Sequence, residues 1–206
     1  MPGIWGRAAL AAVFVGLGQL PAAHALPGPP VVPPVPQPVP AAAAAAVAPA
    51  EAAALPPRAA EELDLFRANA ADAAAGNPVM YGNGQCYPLV ERYIQALGWW
   101  RNTDPSVNVS DLYHHFPTNG LSQYFERVPF DGGLNEPRVG DIVVYDPGGV
   151  VSAHGHAAVV TDVRGSGPLL SYETADQNAG GRLFVTLNWR DFGPMWNTLG
   201  YLRPKV

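Results

Sequence analysis

The stretch Tyr81-Gly82-Asn83-Gly84-Gln85-Cys86-Tyr87-Pro88-Leu89-Val90-Glu91-Arg92-Tyr93 carries the only cysteine of the chain. From Leu89 onward the apolar side chains fall at 89, 90, 93, 94 and 97, the spacing of one helix face, and Gly98 follows as a C-terminal stop. Pro88 is compatible with that helix, because a proline in the first turn removes an N–H that has no intrahelical partner. Cys86 is therefore expected at or beside a helix N-terminus. Unpaired N–H groups and the positive end of the helix dipole stabilise a thiolate there, lowering its pKa from a free value of about 8.5. The same groups, the backbone N–H of Cys86 among them, can hold a developing oxyanion. Gly82 and Gly84 let the backbone turn tightly and leave the sulfur reachable. Cys86 is a candidate nucleophile; a buried inert thiol and an intermolecular disulfide are the plainer alternatives.

Outward from this stretch the chain changes character. Residues 1–25 read as a secretory signal peptide: Arg7 is the positive segment, Ala8 to Leu20 is apolar, and Ala23-His24-Ala25 is a small-x-small cleavage site. The apolar run falls short of the ~20 residues that span a bilayer, so cleavage is expected and not stable membrane insertion. Export to the cell envelope or beyond makes a lone cysteine notable, since structural cysteines in oxidising compartments come in pairs. Residues 26–58 are almost entirely Pro, Ala and Val and hold eleven of the twenty-three prolines. They lack the bulk to build a core and read as a disordered or semi-rigid linker. Residues 59–206 are left as one folded domain, long enough to bury a sizeable core. The net charge of −5 comes without runs of like charge, which argues against a nucleic-acid partner.

Within that domain helices come first. Glu61 to Ala75 is alanine-rich, with Leu63, Phe66 and Ala70 on one face and Gly76-Asn77-Pro78 as its stop. Trp99-Trp100 is expected as a core or cleft-wall anchor. Ser110-Asp111 can cap a short helix carrying His114-His115, and the segment onward to Pro137 reads as loop. From Arg138 the period becomes that of strands, at 141–145, 156–163, 169–173, 182–187 and 200–203. Helices followed by strands on short turns indicate an α+β domain, with helices packed on a twisted antiparallel β-sheet.

A thiol nucleophile needs a base, and the base an orienting group. His156 opens a strand after the glycine-bearing loop Gly148-Gly149 to Gly155, so its imidazole can project at a sheet end toward the cysteine helix. An antiparallel partner would return Glu173, Asp176 or Asn178 beside it. Register leaves the three open, because a one-residue shift exchanges the faces. A rival constellation sets His154 and His156 with His114 and His115 as zinc ligands. Neither pair has the i, i+4 spacing of helical zinc hydrolase motifs, and no metal or other cofactor is expected. No lysine follows Gly82-Asn83-Gly84, so a phosphate cradle does not fit.

At these residues the sequence resembles the CHAP domain family, the cysteine- and histidine-dependent amidohydrolases and peptidases. Gly84-Gln85-Cys86 opening a helix is similar to the family's cysteine motif. Gly140-Asp141-Ile142-Val143-Val144-Tyr145 followed by Gly155-His156-Ala157-Ala158-Val159-Val160 resembles its Gly-Asp and Gly-His strands. Tyr172-Glu173 with Gln177-Asn178-Ala179-Gly180-Gly181 resembles its closing acidic and asparagine block. The resemblance runs from about Asn77 to Arg203. It implies a papain-like fold and a secreted hydrolase acting on amide or peptide bonds of peptidoglycan, as amidase or endopeptidase. Carried over residue by residue, it gives Cys86 as nucleophile, His156 as base and Glu173 as orienter, with Asp176 and Asn178 as alternatives. Tyr87-Pro88 stand where the family usually has Thr and an aromatic residue, and Thr174-Ala175-Asp176 separate Glu173 from Gln177-Asn178. The related NlpC/P60 peptidases usually carry Asp-Cys-Ser at the nucleophile, which is absent here. Tyr87-Pro88 and the acidic charge motivate the rival reading, a catalytically silent wall-binding or scaffolding module on the same fold. The sequence names no regulatory protein partner.

Overall fold

The computed structural model of the chain describes residues 55–98 and 108–205. The expected signal peptide, residues 26–54 of the expected linker and Trp99-Trp100 lie outside these. Three helices, α1 (Pro57–Ala74), α2 (Cys86–Ala96) and α3 (Asp111–His114), precede most of the sheet. The strands are β1 (Phe125–Pro129), β2 (Ile142–Tyr145), β3 (His156–Arg164), β4 (Ser171–Asp176), β5 (Thr186–Asp191) and β6 (Thr198–Pro204). They form one sheet in the order β1-β6-β2-β3-β4-β5, and every pairing is antiparallel. The domain is thus α+β. No helix among the described residues is long and apolar enough to cross a membrane.

Helix α1 begins at Pro57, four residues ahead of the expected Glu61, since a proline is well suited to the first helical position. It buries Ala59, Leu63 and Phe66, and Phe66 meets the rings of Tyr81 and Tyr93 at 6.0 and 6.3 Å. The buried Glu62 accepts from Arg92 Nε at 2.8 Å and joins α1 to α2. Helix α2 buries Leu89, Val90, Tyr93 and Ile94, the stripe expected from the sequence, and packs on β3.

The sheet has a core on each side. Ile142, Val144, Ala157, Val159 and Ala175 face the helices; Val143, Tyr145, Ala158, Val160 and Tyr172 belong to a second cluster with Tyr201. That is why β2 reads as an unbroken apolar run: all four of its residues are buried. Between Val160 and Asp162 the pairing of β3 with β4 shifts, leaving Thr161 as an extra residue.

Two sequence expectations are corrected. Residues 125–129, expected as loop, form the edge strand β1; the burial of Phe125 and Val128 with three exposed neighbours has no alternating pattern, and Pro129 is tolerated only because the strand is at an edge. The strand expected at 182–187 lies instead at Thr186–Asp191, because Arg182 belongs to the turn that it closes with Ala179.

Candidate active site

Cys86 is the first residue of α2, preceded by Gln85 in an extended conformation (φ −75°, ψ 165°). The turn before it is held from across the molecule. Buried Gln177 accepts from the Tyr81 N–H at 2.6 Å, and its amide donates to the carbonyls of Tyr81 at 3.1 Å and Gln85 at 2.9 Å. Asn178 Nδ2 donates to Gln85 Oε1 at 2.8 Å. Gly84 adopts φ +79°, and a Cβ there would lie 2.6 Å from the Leu183 carbonyl. Glycine is required at this point by both backbone and space.

His156 is the first residue of β3, on the sheet face opposite the helices. Its ring stacks on Tyr145, with centroids 5.9 Å apart. Gly155 before it has φ +75°, and a Cβ there would come within 2.6 Å of the Tyr145 carbonyl and 2.8 Å of Ser110 Cβ. His156 Nε2 donates to Asp176 Oδ1 at 2.7 Å, which leaves Nδ1 as the ring nitrogen for its hydrogen bond with the Cys86 thiol. Burial pushes His156 down, but the hydrogen bonds and charges of Asp176 and Cys86 outweigh it and push the group up to about 9.

The sulfur has the complementary environment. Burial raises the Cys86 thiol, yet the hydrogen bond and charge of His156, then the backbone N–H groups of Ala157 and of Cys86 itself, bring it below its ordinary value. The Ala157 N–H is available because the β3–β4 ladder ends at Val159 and Ala175. Thiol and imidazole share one proton and titrate as a pair.

Of the three sequence candidates for the orienting group, the structure brings Asp176 to His156. Glu173 and Asp176 are three residues apart on one strand, so they stand on opposite faces. Glu173 faces the helix side and accepts from Thr161 Oγ1 at 2.9 Å, away from the imidazole. Asn178 follows the strand in a left-handed turn (φ +58°) and serves Gln85. The expected contact from Glu173 is therefore made by Asp176, whose side chain is fully buried. Its Oδ1 also accepts from Arg190 at 2.8 Å; Oδ2 accepts from Thr174 Oγ1 at 2.6 Å, Arg190 at 3.0 Å and Asn188 Nδ2 at 3.1 Å. Burial raises its carboxyl, but the Arg190 guanidinium and His156 hold it well below the usual carboxylate range.

Thr174, Asn188 and Arg190 were missed in the sequence; for Asn188 and Arg190 the displaced position of β5 is the reason. With that strand placed at Thr186–Asp191, Asn188 and Arg190 alternate with Leu187 and Trp189 as an inward polar pair. Gln177 was noted only as part of a block. Asp141 of the Gly-Asp motif lies outside the site: it is buried and accepts from Arg203 at 3.0 and 2.8 Å, pinning β2 to β6.

The other histidines are engaged separately. His114 Nε2 contacts Asp146 at 2.8 Å, His115 lies 3.8 Å from Asp111, and His154 Nδ1 contacts Asn108 at 3.1 Å. Among the described residues no three His, Cys, Asp or Glu side chains converge as metal ligands. Cys86 and His156 open into a cavity of about 1010 Å³, whose walls include Tyr87, Asn178, Trp189 and Trp196. A low-pKa thiol, an imidazole and a buried carboxylate at a cleft of this size have the parts needed for acyl transfer to sulfur.

A sequence model of the CHAP domain matches residues 76–178. Two solved structures are similar in fold. One is the crystal structure of Ly7917 (TM-score 0.53, 20% identity, covering 71% of this chain and 62% of that one). The other is Ly7917 with the hydrolyzing product of MDP (TM-score 0.52, 20% identity, with the same shares of 71% and 62%). The chain thus spans less than two thirds of either. No curated protein matches it.

Proposed function

The chain belongs to the CHAP domain family, and from that premise we propose that it is a peptidoglycan hydrolase that cuts an amide or peptide bond through a cysteine nucleophile on a papain-like framework. The observation that carries the proposal is the meeting of Cys86 and His156 at one wall of the cavity, with the buried Asp176 bonded to His156 behind them. The hydrolyzing product of MDP held by the similar Ly7917 structure fits the same substrate class.

Cys86 thiolate attacks the carbonyl carbon, and the C–S bond forms as the carbonyl electrons move to oxygen. The Cys86 backbone N–H, at the start of α2, holds the oxyanion. His156 gives its proton to the departing nitrogen as the C–N bond breaks, leaving a thioester. Water then attacks with His156 as base, and a carboxylic acid and the free thiolate are released. Asp176 holds the imidazole in orientation and stabilises its charged form, the role the sequence had offered to Glu173. No cofactor enters these steps. In this reading residues 1–25 direct export and 26–54 are a linker to the catalytic domain in the envelope, since Leu55 packs on the core and α1 already begins at Pro57.

The test is mass spectrometry of fragments released from purified peptidoglycan by the protein and by Cys86→Ala. Release by the native form alone is expected, and the fragment masses identify the bond. Release by both would refute Cys86 as nucleophile. Release by neither, from folded protein on several wall types, would favour a wall-binding module.

A further inference from the structure

Arg190 lines the same cavity as Cys86 and His156, and its hydrogen bonds go to Asp176, Thr174 and Asn188, surroundings unusual for a structural arginine. It is 4% exposed on the sheet face carrying His156. Its two terminal nitrogens grip the two oxygens of Asp176 at 2.8 and 3.0 Å, and one of them also meets Thr174 Oγ1. The guanidinium lies over Tyr145 at 5.6 Å and Trp196 at 5.0 Å, and Tyr145 is the ring on which His156 stacks. Its Nε is buried without a hydrogen-bond partner. Burying a guanidinium costs several kcal/mol, and apolar residues commonly replace buried ion pairs without loss of stability. Packing alone does not account for a cation here.

We propose that Arg190 is a positioning residue that fixes the carboxylate of Asp176 and balances the charge of the catalytic cluster. The proposal rests on the reading of Cys86 and His156 as the reacting pair. With the thiolate, imidazolium and carboxylate formed, the buried cluster carries one net negative charge; Arg190 brings it to zero. Without that cation, every group in the cluster binds its proton more tightly. Bidentate contact also fixes the plane of the carboxylate and hence the direction of the bond it accepts from His156.

The other groups facing the pair do not supply this charge. Tyr145 on β2 and Tyr172 on β4 are pushed above their ordinary value by burial and stay neutral, as does Tyr201 on β6. Cys86 on α2 and His156 on β3 are the pair being tuned. Arg182, in the turn between β4 and β5, donates to the Ala179 carbonyl at 3.4 Å and to Asn188 Oδ1 at 3.1 Å, and is exposed to screening solvent.

The experiment is the pH dependence of Cys86 alkylation by iodoacetamide in the native protein, Arg190→Lys and Arg190→Gln, beside fragment release from peptidoglycan. Alkylation reads the cluster without requiring that peptidoglycan be the substrate. Arg190→Gln should move the midpoint of reactivity upward by about one pH unit, the low end for a cation acting through an intervening carboxylate. Arg190→Lys should keep the midpoint, because the charge remains. It should release fragments roughly tenfold more slowly, because an ammonium cannot make the bidentate contact. An unchanged midpoint in Arg190→Gln would overturn the proposal, since a purely structural arginine lowers stability without moving it. Should Arg190→Gln fail to fold, the neutral pair Asp176→Asn/Arg190→Gln is compared with Asp176→Asn. A higher midpoint in the double variant supports the proposal, and equal midpoints overturn it. Shifted midpoints in a protein that releases no fragments would leave Arg190 in this role and remove the proposed substrate.

Discussion

Asp176→Asn and Glu173→Gln form a matched pair of perturbations, each removing one carboxylate charge from the same strand on opposite faces of the sheet. The fully buried Asp176 receives five hydrogen bonds from four residues. An amide in its place leaves the guanidinium of Arg190 uncompensated in the interior, and breaking a buried pair in this way costs about 3–5 kcal/mol. His156 loses the charge that helps hold it near 9, and its charge-assisted hydrogen bond becomes at best a neutral one. Its proton is then lost at lower pH, and the unbalanced Arg190 pushes in the same direction. The step that protonates the leaving nitrogen needs the imidazolium, so the alkaline fall in kcat should begin at lower pH than in the native protein. With orientation also lost, kcat should drop by about 10²–10⁴-fold, the range associated with a positioned acid–base group. Glu173→Gln weakens one contact, to Thr161, and should cost about 1 kcal/mol or less with kcat unchanged. The assays are chemical denaturation and the pH profile of fragment release. A Glu173→Gln enzyme as impaired as Asp176→Asn, or an Asp176→Asn enzyme with a native alkaline limb, would refute the assignment.

Gly155→Ala should destabilise by about 2 kcal/mol or more and slow Cys86 alkylation at neutral pH, because the added Cβ drives against the Tyr145 carbonyl beside His156; thermal unfolding and thiol kinetics check both. Gln177→Leu removes three hydrogen bonds that hold the turn before Cys86 and should cost about 3 kcal/mol in urea denaturation, with a larger loss in kcat than Asp141→Asn produces. Asp141→Asn should lose about 3 kcal/mol by unpairing Arg203 while the folded fraction keeps its kcat, as activity normalised to folded protein would show.

How much of this was legible in the sequence depends on how local the physics is. The placement of Cys86 at a helix start follows from glycines, a first-turn proline and a 3.6-residue apolar period, all within 18 residues of one another, and the helix stands where that pattern puts it. His156 at the head of a strand is equally local. The choice between Glu173 and Asp176 is not, because it depends on where the β3–β4 ladder ends and on the extra residue Thr161, which only the folded pairing reveals. Arg190 was hidden for a similar reason: its strand begins after a turn closed by Ala179 and Arg182, and composition alone placed the strand too early. Edge strand β1 escaped because an edge needs neither an apolar run nor strict alternation.

The contacts that complete the site span long distances along the chain. Gln177 and Asn178 hold the turn before the cysteine from 92 to 96 residues away, and the imidazole, carboxylate and guanidinium all come from strands made after it. A ribosome therefore delivers Cys86 well before anything that activates it. Until the last strands close the sheet, the chain carries an ordinary thiol, mostly protonated at neutral pH and slow toward electrophiles and oxidants. Reactivity appears late, with the non-local pairings that are also the slow part of folding such a topology. The recovery of thiol reactivity during refolding is thus a clock for completion of the sheet, and an incompletely folded copy is chemically silent.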